Sequence, residues 1–346
     1  MLRCLTAGES HGKALIAILE GLPAGVKIDT AFINQELKRR QCGFGRGARM
    51  KIENDSAEII SGLKNNCTLG SPLAILIQNK DFRIDKMAKI LCPRPGHADL
   101  AGLLKYGLND IRDVLERASA RSTAATVSVG AVCKIILKEF SIRFMSRVLS
   151  IGGKHTKAGM VEKIEEAIRN RDTVGGMLEV VIKNVPVGLG SYVQPDRRLD
   201  GRLAQALMSI PGIKSVEIGL GSGYSISFGS EVHDAIYYNK KRGFFRNTNN
   251  AGGIEGGVSN GEHIIIHACM KPICTLMKPL NSVNIVTKKA SKASTERSDT
   301  CVVEAAGVVA ESASAFIIAD CLLEKFGSDS LRDIKRAFED YKKRLA

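Results

Sequence analysis

The sequence predicts an α+β fold in which a layer of core helices is covered by sheets on both sides. Three observations carry this expectation. Residues 118–140 and 302–326 read as helices built from small and apolar residues around their whole circumference, the composition of a helix buried on every face. Five short β-branched runs, each closed by Gly, Pro or Asn, read as strands. Strand and helix alternate too irregularly for parallel βαβ winding.

In chain order the strands are expected at 14–23 (ALIAILEGLP), 72–80 (PLAILIQNK), 175–186, 214–221 and 262–272. A helix at 30–40 opens on Thr30, a residue able to cap it, and sets Phe32, Ile33 and Leu37 on one side. A second, at 198–210, lines up Leu199, Leu203, Leu207 and Ile210. No low-complexity linker or short repeat divides the chain. One domain is therefore expected over 1–346, with about 327–346 as a peripheral tail.

Hydrophobic residues make up 44% of the chain, enough for a sizeable core. Tryptophan is absent, aromatics reach only 5%, and glycines number 34, so Ala, Val, Ile and Leu must fill that core with backbones close together. Lys and Arg total 50 against 36 Asp and Glu, a net charge of +14. Such an excess points to an anionic partner, either nucleic acid or a phosphorylated or carboxylated small molecule. The lysine pairs at 240–241, 288–289 and 342–343 read as solvated surface. Nucleic acid is disfavoured, since no recognised binding module and few stacking aromatics are present. The nine cysteines form no CxxC pair and no zinc-spaced cluster. They read as reduced thiols of a cytoplasmic protein without a metal site. Arg3 and Glu9 interrupt any leader-like run. The apolar stretches read as too short or too charged to span a membrane.

Two histidines sit in glycine-bounded turns: His11 in AGESHG (7–12) and His97 in PRPGHADL (93–100). Imidazole is the side chain suited to proton transfer near neutral pH. Asp99 can cap the helix that follows His97. The other four, His155, His233, His263 and His267, read as structural or surface residues. RRQCGFGRGARM (39–50) sets Arg40, Arg46 and Arg49 in and beside a glycine-rich loop, where guanidinium forks suit phosphate or carboxylate oxygens. ERASARST (116–123) puts Arg117, Ser119 and Arg121 at the head of a core helix, and a buried arginine calls for an anion. The run at 249–262 fits a flat ligand lying on bare backbone and an irregular loop equally well. In TERSDTC (295–301), Arg297 and Asp299 precede the last core helix, where a capping role competes with a chemical one. Together these residues describe a site for small phosphorylated and carboxylated anions.

Seven segments, in order, resemble the chorismate synthase family. They are AGESHG, RRQCGFGRGARM, RPGHADL, RASARSTAATVSVGAV, VEIGLGSGYSISFGSEVHD, NNAGGIEGGVSNGE and DTCVVEAAGVVAESASAFIIAD, and the likeness runs from about residue 1 to 326. The resemblance implies a β-α-β sandwich, a layer of core helices between two antiparallel sheets, assembled as a homotetramer. It implies a trans 1,4-elimination of phosphate from 5-enolpyruvylshikimate 3-phosphate that requires reduced FMN. Members divide between those that reduce the flavin themselves with NADPH and those that take it reduced.

By the same resemblance His11 would be the acid at the departing phosphate. His97 would sit by the flavin, and Asp299 would act in removing the C6 hydrogen. Ser10, Arg40, Arg46, Arg49, Ser119, Arg121 and Arg297 would hold the substrate. Arg117, Ala118, Ser119, Gly256, Lys271, Pro272, Ile273, Cys274, Thr275 and Arg297 would line the FMN. The sequence departs from the family pattern at Ser298, where a histidine is usual, and at Ile273 and Cys274, where hydroxyl residues are usual.

Overall fold

The computed structural model describes residues 1–47, 53–240, 243–296 and 298–345. Arg49 and Arg297 lie outside the described residues. Two four-stranded sheets, both fully antiparallel, form the outer layers. The first runs β1 (Arg3–Ala7), β2 (Ala14–Glu20), β4 (Leu73–Gln78), β3 (Ala57–Ser61) in spatial order. Its register is set by Arg3 opposite Glu20 and Ala14 opposite Gln78. The second runs β5 (Arg143–Ile151), β6 (Gly176–Lys183), β8 (Ile264–Met270), β7 (Ile213–Ile218). All five expected strands are present. Strands β1, β3 and β5 escaped the sequence reading: β1 and β3 are largely exposed along their length, and β5 mixes Arg143, Ser146 and Arg147 among its apolar residues.

Between the sheets lie α1 (Thr30–Gln41), α4 (Thr123–Lys138), α6 (Leu199–Met208) and α7 (Val303–Phe326). Helix α4 packs on β2 and β4, α7 packs on β5 and β6, and the two helices pack on each other. That order, sheet, helix, helix, sheet, is why both are apolar all round. Their backbones meet at Gly130, where an added Cβ would stand 2.3 Å from the Ser312 Cβ. Gly130→Ala is therefore expected to cost about 1–3 kcal/mol by overpacking, measured as a lower denaturant midpoint at unchanged slope. The α6 stripe lands as its spacing predicts: Leu199, Leu203 and Leu207 are fully buried, each worth roughly 1.5–3 kcal/mol of apolar burial. Helix α8 (Leu331–Leu345) lays Ile334 and Phe338 against the core, with Phe338 edge-on to Phe140 and Phe326.

Four local expectations need correction. The cap of α1 is Asp29, whose carboxylate accepts from the Ala31 and Phe32 amides, and Thr30 is the first helical residue. No single helix covers 118–140: α3 (Ile111–Ala118) ends there, Ser119 is extended, and a 3-10 turn precedes α4. Asp99 opens α2 (Asp99–Tyr106) without capping it, because its carboxylate is taken by Arg94 and His97. Two helical stretches are, by length and composition, apolar enough to cross a membrane, against the expectation that none is: Ile111–Lys138, with 78% of its apolar window buried against protein, and Val303–Phe326. In the fold 89% of the latter's apolar window is buried against protein; the two sheets supply the surroundings that lipid would otherwise supply.

Candidate active site

The loop after β1 carries Ser10 and His11. Gly8, at φ +107°, admits no side chain, since an added Cβ would sit 2.3 Å from the Ala14 carbonyl oxygen. The Glu9 carbonyl closes the turn by accepting from Gly12 N at 3.2 Å, and the Glu9 side chain is exposed. Helix α3 holds the rest of the loop. Ser10 N donates to the Glu116 carbonyl at 2.9 Å, and His11 N donates to the Glu116 carboxylate at 2.7 Å. Arg117 donates to the Gly8 and Thr6 carbonyls at 3.0 Å each. The His11 ring sets Nδ1 at 3.0 Å from both Glu116 oxygens and Nε2 at 3.8 Å from the Asp81 carboxylate. Burial pushes the Glu116 carboxyl up, but the hydrogen bonds and charge of His11, with Arg112 behind, outweigh it and keep it below its ordinary range.

Beside this loop two arginines share one carboxylate. Arg40, from the last turn of α1, reaches one oxygen of Asp55 at 2.7 Å, and Arg121 reaches the other at 2.5 Å. Arg40 is 4% exposed, as is Arg121, and Asp55 is 5% exposed. Asn79 ties them to the histidine loop, accepting from Arg121 Nε at 2.9 Å while donating to the Gly12 and Glu9 carbonyls at 2.7 and 3.1 Å. The Ser119 hydroxyl lies 3.2 Å from that of Ser10 and accepts from Arg121 N. Burial holds the Arg40 guanidinium below its ordinary value despite Asp55, and the charges of Arg121 and Arg46 add to the fall. Among the described residues two buried donors, Arg40 Nε and Arg121 Nη2, have no hydrogen-bond partner, although Glu53 stands 3.8 Å from the latter. Two buried cations on one carboxylate, with donors to spare, match the demand of an anion.

Arg46 comes from the loop after α1 and lies 3.5 Å from Asp299, whose other oxygen takes Gly47 N at 2.5 Å. Asp299 therefore caps neither the glycine-rich loop's neighbour α7 nor any other helix: α7 begins at Val303 without a side-chain cap. The carboxylate is committed to the arginine loop.

His97 belongs to a second network. Its Nδ1 is 2.5 Å from Asp99 and 3.1 Å from Arg94 Nη2. Arg94 in turn holds Asp99 through Nε and Nη2, and donates to the Thr275 hydroxyl at 2.8 Å. Burial pushes the Asp99 carboxyl up, but the Arg94 and His97 bonds overcome it and hold it well below its usual range. Lys271 Nζ donates to the Gly96 carbonyl. The segment 271–275 thus forms a wall beside His97. That wall offers an ammonium, an imidazole and an apolar stretch at Ile273 and Cys274. At Gly96 an added Cβ would meet Cys274 only at 3.5 Å. This donor set fits the phosphate-bearing planar ring that the resemblance implies.

The structure brings Ser10, His11, Arg40, Arg117, Ser119 and Arg121 together, ties Arg46 to Asp299, and gathers His97 with residues 271–275. Ala118 ends α3 between Arg117 and Ser119. Gly256 stays apart, on the exposed turn of the hairpin Ile254–Glu255/Val258–Ser259. Its neighbour Gly257 accepts from Leu199 N, and no hydrogen bond or ion pair among the described residues links Gly256 to either network. In the run 249–262 the Asp234 carboxylate takes the Asn250 and Ala251 amides, so the loop has its own support. Sequence reasoning missed Glu116, Asp55, Asn79 and Arg94. Glu116 and Arg94 did stand inside quoted motifs, a carboxylate and a guanidinium directly beside the residues that were chosen. Asp55 and Asn79 carry no local signal.

Comparison with known proteins followed the same lines. A family model described as chorismate synthase matches residues 2–323. The chain is 54% identical over 343 residues to a chorismate synthase of Thermoanaerobacter pseudethanolicus, covering 98% of each chain. It is 49% identical to one from Aquifex aeolicus, covering 98% of this chain and 97% of that one. A solved structure titled "Crystal Structure of Chorismate Synthase" superposes with a TM-score of 0.81 at 42% identity, covering 99% of this chain and 98% of that one.

Proposed function

The chain belongs to the chorismate synthase family, lyases that eliminate phosphate from 5-enolpyruvylshikimate 3-phosphate to give chorismate, and on that premise we propose how its own residues divide the work. The buried pair Arg40 and Arg121, with Arg46 alongside, holds the substrate's anionic groups. The observation that carries this is that two buried guanidinium donors, Arg40 Nε and Arg121 Nη2, make no hydrogen bond among the described residues, Glu53 standing 3.8 Å from the latter. Ser10 and Ser119 add hydroxyls at the same place. His11 gives its Nε2 proton to the departing phosphate. Leaving-group protonation is general acid catalysis, worth about 10²–10⁴-fold. Asp299, steered by Arg46 and the Gly47 amide, takes part in removal of the C6 hydrogen. Arg49 and Arg297 complete the substrate contacts in this reading.

Reduced FMN is the cofactor, and when bound it supplies electron density to the allylic system without net redox change. Lys271 to Thr275 and His97 form one wall for it, and Arg117 to Ser119 border the substrate side. Gly256 joins the cofactor contacts by the family resemblance, which also implies a homotetramer. The protein acts in the cytoplasm, on a small-molecule substrate, with neither nucleic acid nor membrane as partner. The deciding experiment is anaerobic: purified protein, chemically reduced FMN and the enolpyruvyl substrate. Stoichiometric release of phosphate with chorismate is expected. Flavin binding without phosphate release would leave a flavin-binding relative that has lost the elimination, a reading motivated by Ser298, Ile273 and Cys274.

A further inference from the structure

Resting on the assignment of His11 as the acid, we propose that Glu116 is a positioning residue for the elimination. It fixes which nitrogen of His11 carries the transferable proton and where that nitrogen points. The geometry supports this at three levels. Glu116 is 1% exposed, so its carboxylate is not a surface group that happens to lie nearby. Both of its oxygens stand 3.0 Å from His11 Nδ1, and one also accepts the His11 amide at 2.7 Å. An ionised carboxylate only accepts hydrogen bonds, so Nδ1 must carry a proton and the ring is tied at that end. Nε2 is then the free nitrogen. It faces Asp81, 3.8 Å away, whose amide is bonded to Glu53, beside Arg121.

The consequence is a ring with one working end. His11 protonates the leaving group from its imidazolium form, with Nδ1 and Nε2 both protonated, and the Nε2 proton passes to a phosphate oxygen. The Nδ1 proton stays on the Glu116 side and the ring ends as the neutral Nδ1–H tautomer. Glu116 is itself braced. Arg112, one turn earlier on α3, stands 3.5 Å from its carboxylate, donates to the Ala88 carbonyl at 2.9 Å and pairs with Glu296 at 3.1 Å. The charged groups around the ring are thus Glu116 and Arg112 from α3, Asp81 with its partner Arg83 from the loop after β4, and Glu296 behind Arg112.

A role in merely holding the loop can be separated from this one. The loop has anchors that a side-chain substitution at 116 leaves in place: Ser10 N on the Glu116 backbone carbonyl, and Arg117 on the Thr6 and Gly8 carbonyls. The test uses the full chain, with Glu116→Ala and, because its shape is kept, Glu116→Gln. Steady-state kinetics and ¹⁵N ring spectra of histidine-labelled protein are recorded for each, with His11→Asn assigning the His11 signals. Glu116→Ala is expected to lower kcat by about 10²-fold, up to the worth of the acid it orients, with KM within about twofold. The His11 ring should lose its Nδ1-bound proton as the dominant neutral form, and Glu116→Gln should fall between. A rise in KM at constant kcat would mean loop support only, and the proposal fails. It fails equally if the ring remains Nδ1–H in both variants. If instead His11→Asn turns over at the native rate, the acid assignment falls and the proposal with it, whereas a slowed His11→Asn beside a native-rate Glu116→Ala overturns the proposal alone.

Discussion

His11→Asn is expected to cut kcat by about 10²–10⁴-fold, the contribution of a positioned general acid, while the protein keeps its fold and its substrate affinity. Asparagine is the informative replacement. Its amide can still donate to the buried Glu116 carboxylate, so the loss is that of the transferable proton and not of a partner for a buried charge. The loop itself hangs on the Ser10 amide, which donates to the Glu116 carbonyl, and on the Gly8 and Thr6 carbonyls, which accept from Arg117; the substitution touches none of these. The anion cradle of Arg40 and Arg121 is held by Asp55 and Asn79, which are independent of the ring. Phosphate release under anaerobic single-turnover conditions reads the chemical step directly. A rate within threefold of the native protein, by an order-of-magnitude criterion set against that contribution, would remove His11 from the reaction.

Lys134→Met is expected to cost about 3–5 kcal/mol, the price of leaving buried carboxylates short of a cation. The helical layer contains a quartet of charges, three of them buried and the fourth, Arg39, half-buried. Lys134 of α4 lies 2.5 Å from both Glu36 of α1 and Glu311 of α7, and Arg39 holds the same two carboxylates at 2.7 and 2.8 Å. Ser146 of β5 donates to Glu311 at 2.6 Å. Glu36 is 3% exposed and Glu311 fully buried. Burial pushes the Glu311 carboxyl up, but the Arg39 and Lys134 bonds and charge and the Ser146 hydroxyl overcome it and bring it from 4.5 to about 2. A depressed carboxylate stabilises the fold above its unfolded pKa and loses that contribution as pH falls through the folded one. Here the window is pH 4.5 down to about 2, and the contribution is on the order of 3 kcal/mol. The gap in stability between native protein and Lys134→Met should therefore narrow as the pH drops from 7 toward 3. A gap that stays constant over that range, followed by denaturant titration, would show that packing and not charge accounts for the loss.

The quartet also explains how α1 serves the site. Arg39 and Arg40 are consecutive residues at the end of that helix, and they diverge: Arg39 enters the quartet, Arg40 the anion cradle. One sequence pair thus anchors the helix and arms the site. The sequence reading chose Arg40 for its place beside the glycine-rich loop, and nothing local marks Arg39 as the partner of buried carboxylates.

Much of the layer order was legible before any coordinates. A helix apolar on all faces has to be enclosed, and residues 303–326 are enclosed. The five expected strands are those whose alternate residues reach the core. The errors are local in origin. Thr30 and Asp29 are both competent caps, and the choice falls to the one whose carboxylate reaches two amides. The continuous helix expected at 118–140 ignored Ser119, whose hydroxyl accepts from the Arg121 amide two residues on and whose extended backbone breaks the run. Asp99 was read as a cap because capping is a local role, while Arg94 and His97 make it a charge partner instead.

The sequence by itself determined the α+β sandwich with its enclosed helical layer, and it set two glycine-bounded histidines and the arginines of its glycine-rich and core-helix segments in the chain. These properties follow from composition and periodicity, which act over a few residues. Only the tertiary structure decided the partners: Glu116 for His11 across 105 positions, Asp55 for Arg121 across 66, Glu311 for Lys134 across 177. A buried charge takes whichever opposite charge the fold delivers within about 3 Å. That distance is set by how the sheets and helices stack, and no neighbouring residue in the chain announces it.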